Sequence, residues 1–246
     1  MLSLFKKKVA PEALQYFPLT MDMHSHILPG IDDGSPDVET SIQLIQGLMS
    51  VGVKRSIATP HIIGDLYRNN PDTINKALQI LRSELKNRNI NFEVNAAAEY
   101  MMDSYFLDLL NSKQELLRLK DNIILTEFSY ASKPDEPGKF SFAIQMAGYS
   151  PILAHPERYP YYYDDRKMYH RLSELGFMLQ VNLWSLTGYY GKEAFKAAKY
   201  MLENELVSFV GTDLHHDRHL HMLTDELSRG SFYKYLSHRN WNDFLE

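Results

Sequence analysis

Five histidines and four carboxylates stand where they could share cations. His24 and His26 form the pair in Met21-Asp-Met-His-Ser-His26, and His61 closes Thr59-Pro-His61. Glu99 follows Ala98, Glu127 precedes Phe128, and His155 opens His155-Pro-Glu-Arg158. Asp213 and His215 lie in Gly211-Thr-Asp-Leu-His215. The ninth residue, Asp33, comes from the loop Ile27-Leu-Pro-Gly-Ile-Asp-Asp-Gly34 that follows the histidine pair, with Asp32 expected as the turn or capping residue. A lone histidine is ordinarily a hydrogen-bonded structural residue. The joint placement carries the reading, because unpaired buried charge is costly.

Imidazole and carboxylate without sulfur suit Mn²⁺, Zn²⁺ or Fe²⁺ better than Mg²⁺ or Ca²⁺. The chain has no cysteine, which excludes disulfides, thiolate-bound zinc and a cysteine-nucleophile phosphatase. Nine ligands exceed the needs of one catalytic ion, so at least two ions, and by preference three, are expected. Three divalent ions against Asp33, Glu99, Glu127 and Asp213 leave a net positive site matched to a phosphomonoester dianion. Ions roughly 3.5–4 Å apart would bridge a hydroxide and stabilise both the attacking and the leaving oxygen.

Arg158 and Arg218 are the expected phosphate clamps, since a guanidinium grips phosphate oxygens bidentately. Tyr159, followed by Tyr161, Tyr162 and Tyr163, makes the same loop aromatic, either as a platform for an aromatic substrate ring or as an oligomer contact. His216 or His219 is available as a general acid.

These residues need a scaffold that brings them to one edge. Seven β-rich runs are read at 19–24, 53–60, 91–98, 123–128, 151–155, 177–183 and 206–212. Helical runs at 36–50, 72–89, 104–110, 138–147, 165–175 and 192–203 lie between them. Strand alternating with helix predicts an α/β chain with a parallel sheet, as a closed or nearly closed seven-stranded barrel or as an open doubly wound sheet. In either case ligands gather at the carboxyl ends of the strands, where the candidate residues fall. Within a strand alternate side chains share a face, so His24 with His26, and Asp213 with His215, are expected to point together. Asp22 shares that face and is expected to hold a histidine ring from behind.

No linker, repeat or low-complexity tract divides the 246 residues, so one barrel domain is expected over 19–246, with 1–18 as an N-terminal extension. The net charge of -5, spread along the chain, gives no footprint for nucleic acid. No stretch reaches the roughly 18 apolar residues of a membrane span, and the N-terminus with Lys6-Lys7-Lys8 makes a poor secretory signal. A cytoplasmic location is expected.

The motifs containing His24 and His26, His61, Glu99, His155 to Arg158, and Asp213 to His215 resemble, in order and spacing, those of the polymerase-and-histidinol-phosphatase (PHP) superfamily. The segments His24-Ser-His-Ile-Leu-Pro-Gly-Ile-Asp-Asp-Gly34 and His155-Pro-Glu-Arg158 look like its bacterial manganese-dependent protein-tyrosine phosphatases of capsular and exopolysaccharide synthesis. This resemblance implies a distorted seven-stranded TIM-like barrel, three Mn²⁺ ions, and a phosphotyrosine-bearing bacterial tyrosine kinase as substrate. Position by position it implies His24, His26, Glu99 and Asp213 on one ion, Glu99, Glu127 and His155 on a second, and Asp33, His61 and His215 on a third. Arg158 then matches the phosphate-binding arginine, and Arg218 corresponds through a loop of different length. The N-terminal arm is longer than usual for the family and is expected to pack on the barrel, join a homo-oligomer or be disordered. The competing expectations are a small-metabolite phosphatase of the histidinol-phosphate type, a nuclease, and a silent metal-binding regulatory module.

Overall fold

Each of the seven runs expected as strands overlaps one in the computed structural model, which describes residues 17–245. They are β1 (Met21–Asp22), β2 (Arg55–Ala58), β4 (Glu93–Ala96), β6 (Ile123–Glu127), β7 (Ser150–Ala154), β8 (Met178–Asn182) and β9 (Val207–Gly211). Two short strands come in addition: β3 (His61–Ile62) follows β2 past Thr59-Pro60, and β5 (Glu99–Met101) follows β4 past Ala97-Ala98. The expected extension, residues 1–18, lies outside the described residues apart from its last two.

The strands pair in parallel, but as two sheets instead of one: β1-β2-β4, and β3-β5-β6-β7-β8-β9. Proline explains the division locally, because Pro60 has no N–H for a ladder. Backbone contact continues across the breaks, with Ala97 N donating to Ala58 O at 2.8 Å and Glu99 N to Pro60 O at 3.1 Å. At the far edge a parallel bridge joins Ser25 to Leu214, where His26 N donates to Leu214 O at 2.9 Å and Asp213 N to His24 O at 2.7 Å.

The helices begin where side chains can satisfy free N–H groups. Asp37 accepts from Thr40 N at the start of α1 (Val38–Ser50), and Asn70 and Thr73 cap each other at α2 (Pro71–Asn87). Asp103 accepts from Phe106 N at α3 (Ser104–Asn111). Next come α4 (Pro137–Met146), α5 (Lys167–Glu174) and α6 (Lys192–Glu203). Then α7 (Asp217–Arg229) and α8 (Ser231–Leu236) form where no helix was read, although Leu220, Leu223 and Leu227 carry the helical spacing. No helix of the described residues is long and apolar enough to cross a membrane.

Strand alternation divides the core. Ile123 and Leu125 pack with Met21, Met23, Ile57, Ile152 and Phe209, while Ile124, Leu153, Val181 and Val210 pack with helix residues such as Leu44, Ile45 and Leu81. The first group lies on the inner face of the strands, and Glu127 continues its series along β6. That is the end at which the chemistry collects.

Candidate metal centre

All nine candidate ligands converge on one site: His24, His26 and Asp33 follow β1, His155 follows β7, Asp213 and His215 follow β9, Glu127 ends β6, and His61 and Glu99 open the short strands β3 and β5. His24 Nε2 lies 3.3 Å from His26 Nε2, 3.2 Å from Glu99 Oε2 and 3.4 Å from Asp213 Oδ1. His26 Nε2 is 3.4 Å from both carboxylate atoms. Four atoms each about 2.1 Å from a common cation stand about 3–3.5 Å apart, so this edge length is that of a coordination shell. Around them His155 Nε2 is 3.0 Å from Glu99 Oε1 and 4.0 Å from Glu127 Oε2. His61 turns Nδ1 to Glu127 Oε1 at 3.0 Å and to Glu99 Oε2 at 3.3 Å, and Nε2 to Asp33 Oδ1 at 3.5 Å. His215 Nε2 lies 3.6 Å from the same Asp33 oxygen.

Four overlapping groups have metal-ligand spacing: His24, His26 and Asp213; His24, Glu99 and His155; His61, Glu99 and Glu127; and His26, Asp33, His61 and His215. The groups that the resemblance implies are not reproduced one for one, since His61 stands nearer Glu127 than His155 does.

The donor set fits cations. His61 Nδ1 and Glu127 Oε1 are buried and face each other, yet neither makes a hydrogen bond, which leaves lone pairs for a cation to satisfy. Burial alone would push His61 down, but Glu127 outweighs it and raises the imidazole to about 9. His24 and His26 are likewise held above the usual value against their burial, by Glu99 with Asp213 and by Asp32 respectively. Burial would raise Glu99 and Asp213, but the facing histidines drive both carboxyls well below their ordinary range. The His215 imidazole close by helps bring Asp33 to about 2. His155 is pushed down by burial. Without ions, protons on the histidines balance the carboxylates; a cation would take their place.

Local backbone aims these groups. His155 and Asp213 adopt left-handed φ values of 36° and 53°, which turn their side chains off the strand parity. Asp213 therefore meets His215 Nδ1 at 3.3 Å through a turn, not through a shared strand face. Gly34 lets the acidic loop fold under His26, where a Cβ would collide with the His26 carbonyl. Asp32 does more than cap the turn: it accepts from Gly34 N and His61 N and pairs with His26 Nδ1 at 2.8 Å. Asp22 instead accepts from Thr212 Oγ1 and Thr212 N, so it holds backbone and not a histidine ring. The support behind His24 is Gln180, at 2.8 Å from Nδ1.

The mouth is a cleft of about 310 Å³ lined by Asp33, Arg158, Tyr189, Tyr190, Asp213, His215, His216 and His219. Arg158 Nη1 donates to Asp213 Oδ2 at 2.6 Å, and its guanidinium lies 4.0 Å from the Tyr190 ring centre and 5.0 Å from that of Tyr130. The Tyr130 hydroxyl is 3.0 Å from His155 Nδ1. Two expectations change here. Tyr159 is fully buried, accepting from Phe128 N and donating to Ala154 O, because the short 3₁₀ turn at Pro156–Arg158 tucks its ring inward. Arg218 is exposed on the first turn of α7 and does not line the cleft. Tyr130 and Tyr190 are the aromatic residues that the sequence reading missed.

The sequence matches the family described as "Capsular polysaccharide synthesis, CpsB/CapC" over residues 20–225. The chain belongs to this family. Its relatives include the tyrosine-protein phosphatase YwqE of Bacillus subtilis, 31% identical over 207 residues, 84% of this chain and 81% of that protein. CpsB of Streptococcus agalactiae, also named a tyrosine-protein phosphatase, is 28% identical over 79% of this chain and 82% of its own length. Among solved structures, one from work on YwqE of B. subtilis and CpsB of Streptococcus pneumoniae, described as unique metal-dependent tyrosine phosphatases, superposes with a TM-score of 0.78. It is 30% identical and covers 89% of this chain and 88% of its own. Histidinol phosphate phosphatase of Lactococcus lactis, 13% identical with a TM-score of 0.50 over 85% of this chain and 93% of its own, shares the fold alone.

Proposed function

We propose that this family member is a metal-dependent phosphomonoester hydrolase that removes phosphate from tyrosines of a bacterial tyrosine kinase of polysaccharide synthesis. One observation carries the reading: a largely buried cluster of nine ligands meets a cleft in which Arg158 lies against aromatic rings. The names of its relatives support the substrate class. We assign three divalent ions to the overlapping ligand groups, Mn²⁺ first, with Fe²⁺ and Zn²⁺ as alternatives. When bound, such ions supply Lewis acidity and positive charge against the phosphate oxygens.

The chain's own groups do the positioning. Arg158 already has one nitrogen on Asp213, which fixes its plane and leaves the rest of the fork for phosphate oxygens. Tyr190 and Tyr130 hold the guanidinium beside the cleft, and Tyr190 with Tyr189 makes the cleft wall aromatic where a tyrosine ring would enter. Burial and neighbouring His216 push His219 down to about 3, which keeps it neutral near pH 7 and counts against it as the proton donor. A phenolate with a pKa of about 10 leaves with little protonation.

We read the two sheets as one distorted seven-stranded barrel in a single domain, with β2 and β3 as one interrupted strand and β4 and β5 as another. The bonds across both breaks and the bridge between Ser25 and Leu214 support this reading. The functional test is hydrolysis of phosphotyrosine peptides by metal-stripped protein reconstituted with Mn²⁺, alongside aliphatic phosphomonoesters and histidinol phosphate. Faster turnover of the peptides, abolished by chelator, is expected. Equal or better turnover of the aliphatic esters would overturn the tyrosine assignment, and preference for histidinol phosphate would identify a metabolite phosphatase.

A further inference from the structure

Strand β8 contributes no candidate ligand, yet two of its buried amides join the ligand cluster into one hydrogen-bonded chain. Asn182 Nδ2 donates to Asp213 Oδ2 at 2.7 Å, Gln180 Nε2 donates to Asn182 Oδ1 at 2.9 Å, and Gln180 Oε1 faces His24 Nδ1 at 2.8 Å. All four side chains are 0–2% exposed.

The direction of this chain follows from one end. A carboxylate accepts and does not donate, so Asn182 must turn its NH₂ to Asp213 and its oxygen to Gln180. Gln180 must then give its own NH₂ to Asn182 and its oxygen to His24. The neutral His24 ring then has to carry its hydrogen on Nδ1, which leaves a lone pair on Nε2 for a cation. It is Nε2 that lies 3.2–3.4 Å from Glu99, His26 and Asp213.

Two features hold the chain in place. The Asn182 backbone N–H donates to Glu157 Oε1 at 2.8 Å, and Ser185 Oγ donates to the same oxygen at 2.6 Å. Gly211 leaves the necessary room, since a Cβ there would stand 2.6 Å from His24 Cβ and 3.0 Å from Gln180 Nε2.

We propose that Gln180 and Asn182 are positioning residues of the metal centre, which fix His24 as the Nδ1–H tautomer and tie it to the Asp213–Arg158 pair. This inference rests on the ligand reading above and is separable from it by experiment. Full-length metal-free protein is titrated with Mn²⁺ by calorimetry for the wild type, His24→Ala, Gln180→Leu and Gln180→Glu, with melting curves of each in the absence of metal. Gln180→Leu is expected to weaken one class of ion by roughly 10–100-fold. Gln180→Glu retains an acceptor for His24 Nδ1 but gives up the donor to Asn182, and is expected to recover part of that affinity. Wild-type affinity in Gln180→Leu, with loss in His24→Ala, overturns the positioning role and leaves the ligand reading standing. Wild-type affinity in His24→Ala overturns the ligand reading itself. If Gln180→Leu does not fold, ¹⁵N NMR of the histidine rings in Zn²⁺-loaded wild type decides: an Nδ1–H His24 supports the proposal, and an Nε2–H His24 overturns it.

Discussion

The two ends of the same parallel strands are built from opposite chemistry. On the inner face toward the amino ends stand Met21, Ile57, Ile123, Leu125, Ile152 and Phe209, all buried. Beyond them toward the carboxyl ends come His24, Glu99, Glu127, His155 and Asp213, equally buried. Each large apolar side chain contributes about 1.5–3 kcal/mol by leaving water. The charged end is held together by pairing of imidazoles with carboxylates and by the amide and arginine hydrogen bonds around them, and buried ion pairs are weak contributors to stability. The fold thus places apolar packing at one end of the strands and paired charge at the other, so substitutions at the apolar end should spare turnover per folded molecule and those at the charged end should not.

The largest effect is expected at the charged end. Asp213 faces His24 and His26, accepts from Asn182 and anchors Arg158. Asp213→Ala should therefore lower phosphotyrosine kcat by at least roughly 10²–10³-fold in molecules that remain folded, and with Arg158 and two histidines left unpaired it should also lower the melting temperature of metal-free protein. A variant that keeps its turnover would break the contrast. At the apolar end Leu125→Ala should instead cost about 2–5 kcal/mol in denaturant unfolding with kcat per folded molecule unchanged.

A smaller effect concerns pH. Without ions His61 titrates at about 9 instead of 6.5, so its pairing with Glu127 stabilises the fold fully below about 6.5 and is lost as pH rises through about 9. A ligand nitrogen must shed that proton, so cation affinity should climb with pH up to about 9, by at most tenfold per unit for this one group. Calorimetric Mn²⁺ titrations between pH 6.5 and 9 read the slope. A flat profile would mean that His61 takes no ion.

Much of this centre was legible because imidazoles and carboxylates at strand ends are rare enough to stand out together. Less legible was how they are aimed. The left-handed turns at His155 and Asp213 break the strand parity on which a sequence reading relies. Tyr159 reads like its neighbours in a tyrosine-rich loop, and only the 3₁₀ turn decides that it faces the core. Tyr130 and Tyr190 reach Arg158 from loops after different strands, a contact that no local pattern encodes. Gln180 and Asn182 left one trace: two amides, two residues apart, on an otherwise apolar strand. The break between β2 and β3 follows from Pro60, whose missing N–H interrupts a run that otherwise reads as continuous strand, whereas no residue type marks the break at Ala97-Ala98.

The central claim is that the nine converging ligands hold cations. Elemental analysis of full-length protein, stripped with chelator, reloaded with Mn²⁺ and freed of excess by gel filtration, tests it most directly. The account predicts three tightly held ions per wild-type chain and fewer in Asp213→Ala. A wild-type chain that retains none would contradict it.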